Sequence, residues 1–150
     1  MDGKETFSRI LVAVDGSDVS MRAADAAIGM AARYGAKLYV VTALSVPYGG
    51  LYMTEEGDYE KYVRKKERED TQKWFEEIGR RARENKVEVD AKIIDPSPSV
   101  VGSIVTFADH NNVELIVIGT RGRTGFKKLL LGSTALGVVT YAGCPVVVIK

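Results

Sequence analysis

The chain has 150 residues and a mass of 16.4 kDa, with 45% apolar and 27% charged residues, values of a globular domain that buries roughly 68–70% of its unfolded surface. Its 21 basic and 20 acidic residues leave a formal charge of +1, which excludes an overall field able to hold nucleic acid or an anionic membrane. One cysteine, Cys144, and one histidine, His110, exclude an intrachain disulfide and a Cys/His metal framework. With a polar N-terminus and no apolar run near ~18 residues, the expectation is a single cytoplasmic domain over residues 1–150 with no membrane partner.

The first predicted strand is Ile10–Val14, ending at Asp15-Gly16-Ser17. Ser17 suits a helix cap, and Ala24, Ala27, Ile28 and Ala31 form an apolar stripe at helical spacing until Gly35 stops the helix. A second strand follows at Lys37–Leu44, and then a long loop holding Pro47, Gly49 and Gly50. Residues 58–85 are highly charged and contain no proline, so one long helix or two joined pieces fit them. Tyr59, Tyr62 and Val63 mark one apolar face there, and Trp74, Phe75, Ile78 and Ala82 mark a second, which assigns Trp74 and Phe75 to the core. The third strand, Val87–Ile94, alternates strictly, as a strand with one wet face or an edge position does.

Asp95-Pro-Ser-Pro-Ser99 is a break with helix-start chemistry, in which Ser97 can cap and Pro98 fits the first helical position. Val100, Val101, Ile104, Val105 and Ala108 make the next stripe. Leu115–Ile118 and Val146–Ile149 are continuous apolar strands, separated by a glycine-rich basic loop, Gly119–Gly132, and a short helix from Ser133. The order βαβαβαβαβ predicts a doubly wound α/β fold with a five-stranded parallel sheet. The alternating third strand belongs at an edge and the all-apolar first and fourth strands in the middle, giving the order 3-2-1-4-5. The switch point then lies between strands one and four, whose ends carry Asp15 and Gly119.

The loop from Gly119 to Thr134 has the makings of an anion cradle. Gly119 and Gly122 let backbone approach a ligand without a Cβ. Gly132-Ser133 opens a helix whose amides and dipole favour a phosphate, and the Ser133 hydroxyl can both cap and donate. Arg121, Arg123, Lys127 and Lys128 make the segment locally cationic. The alternative is a solvated surface loop punctuated by glycines. The NTPase pattern G-x-x-x-x-G-K-[ST] and the dinucleotide pattern G-x-G-x-x-G are both absent.

Gly119-x2-Gly122-x9-Gly132-Ser133, with the opening ILVAVDGSD, the late ELIVIGTRG and the closing CPVVVIK, resembles the universal stress protein family in its ATP-binding branch. The resemblance covers essentially the whole chain. It implies a Rossmann-like fold of the adenine nucleotide alpha hydrolase type. It also implies a regulatory stress-response module that binds ATP, with Mg2+ or Mn2+, and hydrolyses it slowly at most. On this resemblance Ala13, Val14 and Asp15 line the adenosine part of the site, and Asp15 partners ribose or a phosphate-bound metal. Ala43 sits against adenine, where many relatives carry a larger aliphatic residue. Ile118 and Gly119 continue that wall, and Gly122, Gly132, Ser133 and Thr134 hold the phosphates. Asp15 is equally readable as a turn or cap carboxylate.

Two other functions compete: an adenine-nucleotide-processing enzyme of the pyrophosphatase or adenylating type, and an interaction domain without nucleotide. The first lacks the S-G-G-x-D-S type segment, since its place reads Val14-Asp15-Gly16-Ser17-Asp18, and the intact glycine signature opposes the second. His110 reads as a helix-end residue and Cys144 as a small buried filler. Tyr48, Tyr52 and Met53 either form a lid or partner surface or fold back on the domain. Val146–Ile149 carries no charge and no alternation, so a second copy of the chain pairing along that edge is one solution and cover by the last helix and basic loop is the other. The resemblance implies the homodimer, with a further protein partner left unidentified.

Overall fold

The computed structural model describes residues 6–45, 57–120 and 131–150. The elements are β1 (Arg9–Ala13), α1 (Asp18–Tyr34), β2 (Lys37–Ser45), α2 (Gly57–Glu84), β3 (Val89–Ser97), α3 (Val100–His110), β4 (Leu115–Gly119), α4 (Ser133–Tyr141) and β5 (Val146–Ile149). The five strands are parallel throughout and ordered β3-β2-β1-β4-β5. Among the described residues no helix is long and apolar enough to cross a membrane.

The sheet is covered on both faces. Alternate residues of β1, Ile10 and Val12, join Ala24, Ala27, Ile28 and Ala31 of α1 and Phe75, Ile78 and Ala82 of α2 in one cluster. Leu11 between them faces the other cluster, with Ile104 and Ala108 of α3 and Ala135 and Val138 of α4. This two-sided cover explains why β1 and β4 read as unbroken apolar runs.

Local start and stop chemistry accounts for most boundaries. The Ser17 hydroxyl accepts the Ser20 N–H, and Gly35 closes α1 in the left-handed conformation at φ +67°. Residues 57–84 form one continuous helix. The break before α3 differs from the sequence expectation. The cap is Ser99, which accepts the Gly102 N–H, rather than Ser97, and Pro98 precedes the helix. Ser97 is still in the sheet, paired with Ser45, and Pro98 holds the residue before it in extended geometry. Pro96 is tolerated because β3 is an edge strand. Strand β3 also starts at Val89, with Val87 buried just before it. Both of its faces are partly covered, since Val89 and Ile93 pack on one cluster and Ile94 on the other.

Candidate functional site

The switch point lies between β1 and β4, where Ala13 is register partner to Ile118. Beyond Ala13 the chain is held against β2. The Val14 N–H donates to the Val41 carbonyl at 2.9 Å, and the buried Thr42 hydroxyl donates to the Val14 carbonyl at 2.9 Å. Ala43 follows on β2, half-buried and paired with Ile94 on its other side. Asp15 then opens a tight turn into α1. Its Oδ1 accepts the Ser17 N–H at 2.9 Å, and its own N–H donates to Ser20 Oγ at 3.3 Å. Gly16 makes the turn possible with φ +81°.

The other wall is built from the end of β4. The Thr120 N–H donates to the Ile149 carbonyl at 2.8 Å, and the Thr120 carbonyl accepts the Gly132 N–H at 2.6 Å. That second bond brings the start of α4 back to the end of β4. Gly132, rather than Ser133, is the cap residue: it is extended at φ −59° and ψ 158°, and its carbonyl accepts the Leu136 N–H at 2.9 Å. Ser133 is already the first helical residue, so its hydroxyl does not cap, and among the described residues no side chain caps this helix. With no acidic residue in the first turn, the amides and the positive end of the dipole are available to an anion.

The fold thus gathers Ala13, Val14, Asp15, Ala43, Ile118, Gly119, Gly132, Ser133 and Thr134 at the C-terminal edge of the sheet. Gly122, Arg121, Arg123, Lys127 and Lys128 lie outside the described residues, as do Tyr48, Tyr52 and Met53. Gly119 also has a packing reason: a Cβ there would stand 2.8 Å from Val19 Cγ1 and 3.3 Å from the Val19 carbonyl, in the space taken by the first turn of α1.

Two residues escaped the sequence reading, Thr42 and Ser20, and a third, Trp74, was assigned to the core with Phe75. A threonine inside an apolar strand was the available signal for Thr42, because a buried hydroxyl needs a partner. Ser20, three residues after the cap, is the position from which a side chain returns to the turn. Trp74 is half-buried rather than in the core with Phe75, and its indole lies against Gly16. Adjacent helical residues point about 100° apart, and Trp74 lies at the margin of the face that buries Phe75 and Ile78.

His110 ends α3 as expected. Cys144 is only half-buried, and burial, followed by the nearby Asp109 carboxylate, pushes its thiol up from its ordinary value. Among the described residues no three His, Cys, Asp or Glu side chains gather to hold a metal ion. Among the described residues the switch point gathers the Asp15 carboxylate, hydroxyls and helix-start amides, a set suited to holding a polar anionic ligand.

Residues 6–150 match the model of the universal stress protein family. The chain is 35% identical to a universal stress protein of Methanocaldococcus jannaschii over 150 residues, 99% of this chain and 85% of that one. Its fold superposes on the universal stress protein UspA of Lactobacillus plantarum with a TM-score of 0.87 at 23% identity, covering 97% of this chain and 99% of that one. A universal stress protein from Archaeoglobus fulgidus, solved in complex with dAMP, matches with a TM-score of 0.67 at 29% identity, over 96% of this chain and 98% of that one.

Proposed function

The chain belongs to the universal stress protein family, and from that premise we propose that it binds an adenine nucleotide across the ends of β1 and β4, as a stress-response module. The observation that carries this reading is the Gly132–Thr120 bond, which ties the start of α4 to the end of β4, the strand paired with the β1 that leads into the Asp15 turn. The complex of the Archaeoglobus fulgidus relative with dAMP supports the ligand class.

In this reading Ala13, Val14, Ala43 and Ile118 wall the base, and Asp15 accepts from ribose hydroxyls. Gly119 keeps α1 close, while Gly132, Ser133 and Thr134 present backbone N–H groups and hydroxyls to the phosphates, with Gly122 completing the signature. ATP is the proposed nucleotide. A Mg2+ or Mn2+ ion would arrive on its phosphates, with Asp15 offering one carboxylate. Fast phosphoryl transfer needs a residue that orients water and a charge-stabilising group besides the metal. Hydrolysis is therefore expected far below enzyme rates of ~1–10³ s⁻¹.

Mass spectrometry of nucleotide retained after gentle purification, with calorimetry of ATP against wild type and Gly132→Val, tests the site. The branched side chain at the phosphate end should weaken ATP binding while helical content stays. Wild-type affinity in folded Gly132→Val refutes the placement.

We further propose that the module acts as a homodimer. Among the described residues strand β5 pairs only with β4, and its four residues are all half-buried. Beside it α4 exposes Leu136 to 54%, Val139 to 44% and Tyr141 to 72%. A second copy meeting the same edge would cover both under twofold symmetry. Light scattering at micromolar concentration should report twice the chain mass, and Val148→Lys should lower it. A monomeric wild type refutes the dimer and leaves the nucleotide reading standing.

A further inference from the structure

We propose that Trp74 is a positioning residue for the nucleotide site: its indole, laid against Gly16, holds the Asp15–Gly16–Ser17 turn in place and ties nucleotide affinity to the seating of α2. This rests on the nucleotide reading given above. A Cβ built on Gly16 would stand 2.0, 2.2 and 2.7 Å from Trp74 Cζ2, Cε2 and Cη2, so the ring occupies the space next to the glycine Cα. Gly16 is also the point at which the turn is least constrained by its own backbone, since glycine populates φ +81° without steric cost but also leaves it readily. The turn's own hydrogen bonds fix Asp15 to Ser17 and Ser20, and the ring adds a wall against Gly16 from outside the turn.

The turn moves as a unit with Gly16, because Asp15 Oδ1 accepts the Ser17 N–H and the Ser17 hydroxyl caps α1. A shift at Gly16 therefore displaces the one carboxylate proposed to meet the ribose. The ring itself is well anchored. Phe75 and Ile78 are buried on the same helix, and one turn further on the Arg81 guanidinium donates to Asp25 of α1 at 2.8 Å. Helix α2, remote from the phosphate end in sequence, thus reaches the ribose end through one side chain.

ATP titrations of wild type, Trp74→Phe, Trp74→Leu, Gly16→Ala and the pair Gly16→Ala with Trp74→Leu test this, with far-UV circular dichroism and thermal melts to establish folding. Trp74→Leu should weaken ATP by about tenfold, or ~1.4 kcal/mol, and Trp74→Phe by much less. Gly16→Ala should weaken ATP too, and the double variant should lose less than the product of the singles, because contacting residues couple. Trp74 is the single tryptophan, so ATP should alter the wild-type tryptophan emission, a change that a merely structural ring would not show. Folded Trp74→Leu with wild-type affinity overturns the proposal. Should that variant fail to fold, saturation of wild type by ATP with unaltered emission overturns it equally. A wild type that takes up neither ATP nor AMP overturns the nucleotide reading itself, and this one with it.

Discussion

Gly119→Ala puts a methyl group where the first turn of α1 passes the end of β4. The new carbon would lie 2.8 Å from Val19 Cγ1, and 3.3 Å from both the Val19 carbonyl carbon and oxygen. Ordinary carbon contacts are about 3.5–4.0 Å, so the side-chain contact falls roughly 1 Å short. Val19 is β-branched and helical, so rotating Cγ1 away leaves its preferred χ1. The two backbone contacts can relax only if the turn itself moves. Overpacking of this kind costs about 1–3 kcal/mol. Gly119 does not have positive φ, so alanine also stiffens the unfolded chain, which offsets about 0.4–1 kcal/mol. The central net loss is about 1.3 kcal/mol, which at ~2–4 °C per kcal/mol for this chain length lowers Tm by about 3–5 °C. Calorimetric melts of Gly119→Ala, Val19→Ala and the double variant measure it, and the double should lose less than the sum of the singles. A Gly119→Ala protein as stable as wild type would refute the close-approach account.

Other glycines and polar groups give contrasting expectations. Gly29 is exposed within α1 and a Cβ there meets nothing within 4 Å, so Gly29→Ala should raise stability by up to ~1 kcal/mol, read as a higher melting point. Thr42→Val keeps the shape of the side chain but strips the Val14 carbonyl of its buried donor; a loss of about 1–3 kcal/mol in denaturant unfolding is expected. The Cys144 thiol, held protonated by burial and then by Asp109, should alkylate more slowly at neutral pH in folded than in unfolded protein, and Asp109→Asn should quicken it. The Glu77 carboxyl is held below its ordinary value first by Arg80 and then by Arg81. Its contribution is present above the ordinary carboxylate range and lost as pH falls through the lowered value, so Glu77→Gln should flatten the acid limb of the stability profile.

The amino-acid pattern, together with the right-handed rule for crossovers, was enough for the strand order, because cover on both faces leaves its mark in the strands. Strands covered on both faces are apolar without interruption, as at Ile10–Val12 and Leu115–Ile118, whereas the alternating stretch at Val89–Ile93 belongs to the edge. Ser17 and Gly35 were legible for the same reason, since a cap acts within four residues of its own position. The two ends of the proposed site lie at the ends of β1 and β4, and the order of the strands makes those ends neighbours.

Tertiary structure decided which of two candidate residues takes each role. Ser97 and Ser99 are equally able to cap α3, and pairing of Ser97 with Ser45 across the sheet gives the role to Ser99. Ser133 carries the capping hydroxyl, yet it is the first helical residue, and the cap position falls to Gly132, whose N–H is bonded to Thr120. Gly119 yields its space to Val19, and Gly16 yields its own to Trp74, which lies 58 positions away along the chain. Periodicity and capping are local and write themselves into short windows of sequence. The space beside a glycine is filled by whichever helix docks there, and that depends on how the whole sheet twists and packs.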